Sequence, residues 1–161
     1  MKEAISEIEI KRVDDIKPYV KQLSKLYMDA YKGLEKYAYT KPKDVRGYIE
    51  WLFKRDKDGF FIAFDPKGKP VGFIGTDTNW VKNGKVIGEI HELVVSPQMK
   101  GKGLGRALIE EALNYFRQKG LKKSGLWVGE HNSIAQKLYV DCGYREVGRK
   151  GKWIRMEKEL Q

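Results

Sequence analysis

Between residues 85 and 119 the sequence passes from a strand, through a loop with three glycines, into a long amphipathic helix, and this order constrains the fold more than any other feature. The helix is predicted over 103–119: Leu104, Leu108, Ala112 and Phe116 line one face, and Gly120 stops it. The loop reads Lys100-Gly101-Lys102-Gly103-Leu104-Gly105-Arg106. Glycines let a ligand come close to the backbone. The first amides of a helix lack internal acceptors and sit at the positive end of its dipole, so such a start binds phosphate. Lys100, Lys102 and Arg106 add positive charge. Two common nucleotide motifs fail on spacing. A G-x-x-x-x-G-K-[ST] loop lacks its Ser or Thr, and the third glycine of G-x-G-x-x-G arrives one residue early, at Gly105.

The flanking segments supply the rest of the architecture. Ile8 and Ile10 alternate with charges over 7–12, as in a half-buried strand. Asp14 and Asp15 offer helix caps with Pro18 in the first turn, and Ile16, Val20, Leu23, Tyr27 and Ala30 follow at helical spacing up to Gly33. Val45, Tyr48, Ile49, Leu52 and Phe53 form a second stripe, with Asp44 as its expected cap. Strands over 60–64, 71–79 and 85–96 are joined by a turn at 65–70 and by Asn83-Gly84, a hairpin signal because both central residues of a type I′ turn need positive φ. After the long helix come a short strand over 124–128, a helix capped by Asn132 that runs to about Asp141, and strands over 144–148 and 153–159. The order β-α-α-β-β-β-α-β-α-β-β predicts one mixed α/β domain over residues 1–161.

Composition narrows the partners. Thirty-two basic and 22 acidic residues leave a net charge of +10, which suits a phosphate-rich cofactor or another polyanion. The basic residues are scattered, and neither a recognition-helix motif nor an aromatic-basic sheet signature is present, so no nucleic-acid partner is expected. No apolar run approaches the roughly 18–20 residues of a membrane span, and residues 1–10 alternate rather than forming a signal peptide, so no membrane association is expected. The single cysteine, Cys142, excludes an intramolecular disulfide framework and points to the cytoplasm. His91, His131 and Cys142 have no ligand spacing, so no metal site is expected.

Two motifs carry a family resemblance. Lys100, Gly103 and Gly105 resemble motif A of the GNAT superfamily of N-acetyltransferases, [RQ]-x-x-G-x-[GA], with lysine in place of Arg or Gln. Residues 132–144 resemble its motif B, N-x-x-A-x-x-x-Y-x-x-x-G-[FY], at every specified position. The stretch from Glu92 to Pro97 is similar to the family's fourth strand and its exit. The resemblance implies a mostly antiparallel central sheet flanked by helices, with an acetyl-CoA-binding core over 60–160 and acceptor-side elements over 1–59. It implies an acetyl-CoA-dependent enzyme that moves an acetyl group to a primary amine by direct attack. Lys100, Gly101, Lys102, Gly103, Leu104, Gly105 and Arg106 would hold the pyrophosphate, and the backbone of Leu93, Val94 and Val95 would pair with the pantetheine arm. A homodimer is left open.

The chemistry needs a base for the amine and an acid for the departing thiolate. Asn132, Ala135 and Tyr139 share one helical face two turns long. Tyr139 is the expected acid, with Asn132 placed to bond the pantetheine amide and Ala135 leaving room for the chain. Glu92, on a face shared with Ile90 and Val94 if the strand is regular, is the expected base. Glu89, on the opposite face unless a bulge intervenes, and water are the rivals. Tyr27, Tyr31, Tyr37, Tyr39, Trp51 and Trp80 are candidates to line an acceptor cleft. The acceptor is expected to be a small-molecule amine or a protein or peptide amine, and the basic charge disfavours a polyamine. A non-catalytic acyl-CoA-binding sensor is the alternative; the presence of Tyr139 argues against it.

Overall fold

The computed structural model describes residues 5–161; Met1–Ala4, the first part of the alternating terminus, lie outside the described residues. The elements follow in the predicted order. They are β1 (Glu9–Lys11), α1 (Val20–Ala30), α2 (Pro42–Arg55), β2 (Phe60–Phe64), β3 (Pro70–Lys82), β4 (Lys85–Val95), α3 (Leu104–Gln118), β5 (Lys123–Gly129), α4 (Ser133–Asp141), β6 (Arg145–Lys150) and β7 (Trp153–Glu159). The strands form one sheet in the order β1-β2-β3-β4-β5-β7-β6. Every neighbouring pair is antiparallel except β4–β5.

Alternation along the strands splits the core into two layers. Phe60, Ile62 and Phe64 of β2 pack with Leu23, Tyr27, Ile49 and Leu52 of α1 and α2. Phe61 and Ala63 turn the other way, toward Leu104, Leu108, Ala112 and Phe116 of α3. The apolar stripes read from the sequence are therefore the buried faces, and their burial is the main driving force for both layers.

The helix starts differ from expectation. Asp15 Oδ1 accepts from the Lys17 amide at 3.0 Å, and a 3-10 turn over Lys17–Tyr19 precedes α1, so neither Asp14 nor Asp15 caps the α-helix. Asp44 is the third residue of α2 rather than its cap; Lys41 occupies that position without a side-chain bond. Pro42 starts the helix in its place, since its fixed φ and missing N–H cost nothing there. The turn at Asn83 (φ 52°) and Gly84 (φ 78°) has the positive φ pair expected of it.

Two features of β4 shape the rest of the molecule. First, β3 and β4 lose register: Gly75 faces Glu92 and Thr76 faces Ile90, which leaves His91 as an extra, bulged residue. Second, β4 and β5 pair over only three positions, Gly88↔Ser124, Glu89↔Gly125 and Ile90↔Leu126, after which β5 continues on β7 alone. The strands part where the bulge bends β4.

The bulge corrects the expected strand parity. Ile90 packs in the α3 layer, whereas Val94 packs in the α1–α2 layer. Glu92 therefore shares a face with Val94 and not with Ile90. Glu89 lies between Gly88, whose Cα faces the Phe116 ring, and Ile90, so it points away from α3, to the same side as Glu92.

Candidate active site

A cleft of about 730 Å³ opens where β4 and β5 part. Its walls come from β4 (Glu89 to Leu93), β5 (Trp127 to Gly129), α4 (Asn132, Ala135, Tyr139) and tyrosines of the N-terminal third.

Glu92 is buried in this wall. The Tyr31 hydroxyl donates to its Oε2 at 2.5 Å, and the Tyr48 hydroxyl donates to its Oε1 at 2.9 Å. Burial disfavours the carboxylate and raises its pKa to about 7, although both tyrosine hydrogen bonds pull the other way. The same Tyr48 proton is shared with the backbone carbonyl of bulged His91, 3.2 Å from the hydroxyl oxygen, tying α2 to the bulge that aims Glu92.

Glu89 reaches the same cleft but is differently occupied. Arg155 of β7 grips both its carboxylate oxygens, at 2.7 and 2.8 Å, and both side chains are buried. The bidentate guanidinium offsets the carboxylate charge and fixes its orientation, whereas the partners of Glu92 are neutral phenols. His91 also lines the cleft; its Nε2 lies 3.1 Å from Asp77, a buried carboxylate that Arg55 holds at 2.7 Å.

Tyr139 is buried on α4, edge-on to Tyr144. Its pKa is raised, first by burial and next by the charge of Glu92. Asn132 and Ala135 line the same wall, and Asn132 Oδ1 caps α4 by accepting from the Ala135 amide at 3.4 Å. The amide nitrogen of Asn132 is not used by this cap.

The segment 100–106 lies outside the cleft lining, at the start of α3. Gly101 (φ 77°) and Gly103 (φ 88°) have left-handed backbone with open space above them. Ala107 is the first amide to bond back within the helix, to Gly103 at 3.0 Å, so the amides of Leu104, Gly105 and Arg106 precede the helical ladder. Open backbone beside free helix-start amides fits a pyrophosphate. The other groups of the segment serve packing as well: the Leu104 side chain is in the core, and a Cβ on Gly105 would stand 2.8 Å from Leu138, so glycine lets α3 pass close to α4. Arg106 donates to the Asp141 carbonyl at 3.0 Å, at the end of α4 where a cation is favoured. Of the strand residues, Leu93 lines the cleft, while the side chains of Val94 and Val95 pack in the two core layers.

Among the aromatic candidates, Tyr27, Tyr31, Tyr37 and Tyr39 line the cleft. Trp51 and Trp80 do not; they pack around His91, with ring centroids 5.1 and 4.8 Å away. Tyr48 was expected only as part of an apolar stripe. Its hydroxyl meets a carboxylate 44 residues away, a pairing with no local sequence signal.

The chain is similar to known proteins over this fold. The family model of the acetyltransferase (GNAT) family matches residues 20–144. An uncharacterized N-acetyltransferase of Methanocaldococcus jannaschii is 43% identical over 137 residues, covering 84% of this chain and 60% of that protein, so the chain spans less than two thirds of that relative. A Pyrococcus horikoshii protein of known crystal structure superimposes with a TM-score of 0.87 at 39% identity, covering 96% of this chain and 99% of the other. The PaiA N-acetyltransferase of Thermoplasma acidophilum, solved in complex with coenzyme A, shares the fold with a TM-score of 0.75 at 22% identity, over 95% and 99% of the two chains.

Proposed function

Because the chain belongs to the acetyltransferase (GNAT) family, we propose that it transfers an acetyl group from acetyl-CoA to a primary amine, with Glu92 as base and Tyr139 as acid. The observation that carries this reading is Glu92 itself: a buried carboxylate in the cleft wall, with a pKa of about 7 and Tyr139 within its electrostatic reach. A base is most effective when its pKa lies near the working pH.

Acetyl-CoA supplies the activated acyl group. The Leu104–Arg106 amides and the open backbone at Gly101 and Gly103 hold the pyrophosphate, with Lys100 and Lys102 adding charge. The unpaired side of β4 along Leu93, Val94 and Val95 offers backbone groups to the pantetheine arm, and Asn132 and Ala135 flank its path. Glu92 takes a proton from the amine as the new N–C bond forms and the C–S bond breaks. Tyr139 gives its proton to the sulfur; Glu92 then releases its proton to solvent and Tyr139 takes one back, which restores both groups.

Thiol release from acetyl-CoA over a panel of amines and peptides tests the proposal. Tyr139→Phe is expected to lower kcat by roughly tenfold or more while acetyl-CoA affinity stays within about threefold. Unchanged turnover would remove Tyr139 from the acid role. Tight acetyl-CoA binding without thiol release on any amine would overturn the enzymatic reading in favour of a sensor.

A further inference from the structure

Two segments far apart in sequence meet over the end of β5. The Tyr37 ring covers Gly129, where a Cβ would stand 2.7 Å from it. The Tyr37 hydroxyl accepts from the His131 amide at 2.9 Å, and the ring meets Trp153 edge-on at 5.4 Å. Lys152 Nζ donates to the carbonyl of Lys36. This contact joins the α1–α2 connection to the β6–β7 turn at the edge of the cleft, and it brings Lys36, Lys150 and Lys152 into the lining.

The charge balance of the lining is one-sided. Among the described lining residues its carboxylates are Glu89, gripped by Arg155 at 2.7 and 2.8 Å, and buried Glu92, whose pKa burial raises to about 7. Against them stand three exposed ammonium groups, none of which forms an ion pair among the described residues. The acidic residues nearest in sequence are engaged elsewhere: Glu35 accepts from the Gly33 amide at 3.0 Å, Glu146 holds Arg149 at 3.0 Å, and Glu157 lies 3.3 Å from Arg155 and 3.5 Å from Lys123. Glu130, whose amide donates to the Lys152 carbonyl at 2.9 Å, is not among the lining residues. Two of the lysines are held over the cleft edge by rings: Lys36 Nζ sits 5.2 Å from the Tyr37 centroid, and Lys152 Nζ sits 5.9 and 5.8 Å from Tyr37 and Trp153.

Unbalanced charge of one sign at the mouth of a cleft attracts the opposite charge and disfavours like charge. Resting on the acetyltransfer reading above, we propose that the acceptor is an anionic amine, which offers its amino group to Glu92 and an acidic group to Lys36, Lys150 and Lys152. The amine end meets Glu92, which among the described lining residues is the carboxylate not paired with a guanidinium, and the acidic end meets the lysines.

Matched acceptors that differ only in carboxylate against amide test this. One pair is glutamate and glutamine; the other is a peptide with Glu at its second and third residues and the same peptide with Gln there. The acidic member of at least one pair is expected to have a kcat/KM about tenfold higher, the size of one or two partly exposed ion pairs. The pair that shows it tells a small molecule from a peptide. Added salt should narrow the preference, and the exposed double variant Lys150→Glu/Lys152→Glu should reduce the ratio to about one or invert it. Acetyl-CoA binding serves as the control for folding. Equal or better use of the amides in both pairs overturns the proposal and leaves acetyltransfer standing. If no amine is acetylated, calorimetry of the same pairs in the presence of coenzyme A decides: tighter binding of an acidic member supports the proposal and equal binding rejects it. Failure to bind acetyl-CoA at all sinks the acetyltransfer reading instead.

Discussion

The Tyr31 hydroxyl lies 2.5 Å from Glu92 Oε2 and joins the end of α1 to the parting strands. Tyr27, one turn earlier, packs its ring 4.8 Å from Tyr31 and accepts from the Tyr39 amide at 3.1 Å, so the tyrosine that holds the carboxylate is itself held. The environment of Glu92 is thus built from one strand and two helices. Burial raises its pKa, and the phenols restrain the rise.

Removing one phenol should therefore shift the pH profile upward. In Tyr31→Phe, burial persists but one bond to the ionised carboxylate is lost. The acidic limb of kcat/KM, expected near pH 7 in the parent, should move up by about one pH unit. Its position is read from initial rates across pH 5.5–9 (a range of about 3.5 pH units). A limb that stays in place would assign it to a group other than Glu92.

Glu92 should also cost stability, in a definite pH window. In the unfolded chain it ionises near 4.5 and in the fold near 7. Between those values the fold binds more protons than the unfolded chain, so this contribution to stability falls as pH rises from about 4.5 to about 7. Above pH 7 the full cost is about 3 kcal/mol. Glu92→Gln should raise Tm relative to the parent at about pH 8, with a smaller gap at about pH 5. Thermal denaturation at the two pH values checks this, and equal gaps would count against a buried, ionising Glu92.

The Glu89–Arg155 pair should behave in the opposite way, as structure rather than chemistry. Both partners are buried, and Gly125 leaves room for the guanidinium: a Cβ there would fall 2.1 Å from an Arg155 nitrogen. Arg155→Met strands a buried carboxylate and should cost about 3–5 kcal/mol, a fall in Tm of roughly 10 °C. The double variant Glu89→Leu/Arg155→Met should recover most of that loss, because neither charge is then left unpaired. A double variant no more stable than Arg155→Met would mean that the pair contributes more than mutual neutralisation.

Much of this arrangement could be read from local pattern. The meander from 60 to 95 follows from alternation and from Asn83-Gly84, and α3 follows from its stripe and the glycines before it. Asn132, Ala135 and Tyr139 could be placed on one face because a helix fixes the angle between residues, and all three line the cleft. Helix starts were less legible. Asp15 bonds a local amide in a 3-10 turn, and Pro42 starts α2 ahead of Asp44, because short side chains and prolines each offer several ways to open a helix.

The sequence by itself determined the element order, the amphipathic faces, the glycine-rich helix start and the two motifs that identify the acetyltransferase (GNAT) family, since these depend on neighbours within a few turns. Only the tertiary structure decided how the two glutamates are partnered. The bulge at His91 depends on register with β3, the grip on Glu89 comes from β7, and the phenols on Glu92 come from α1 and α2. A single extra residue in a strand reverses the direction of every side chain beyond it, and strand periodicity alone does not reveal where that residue lies.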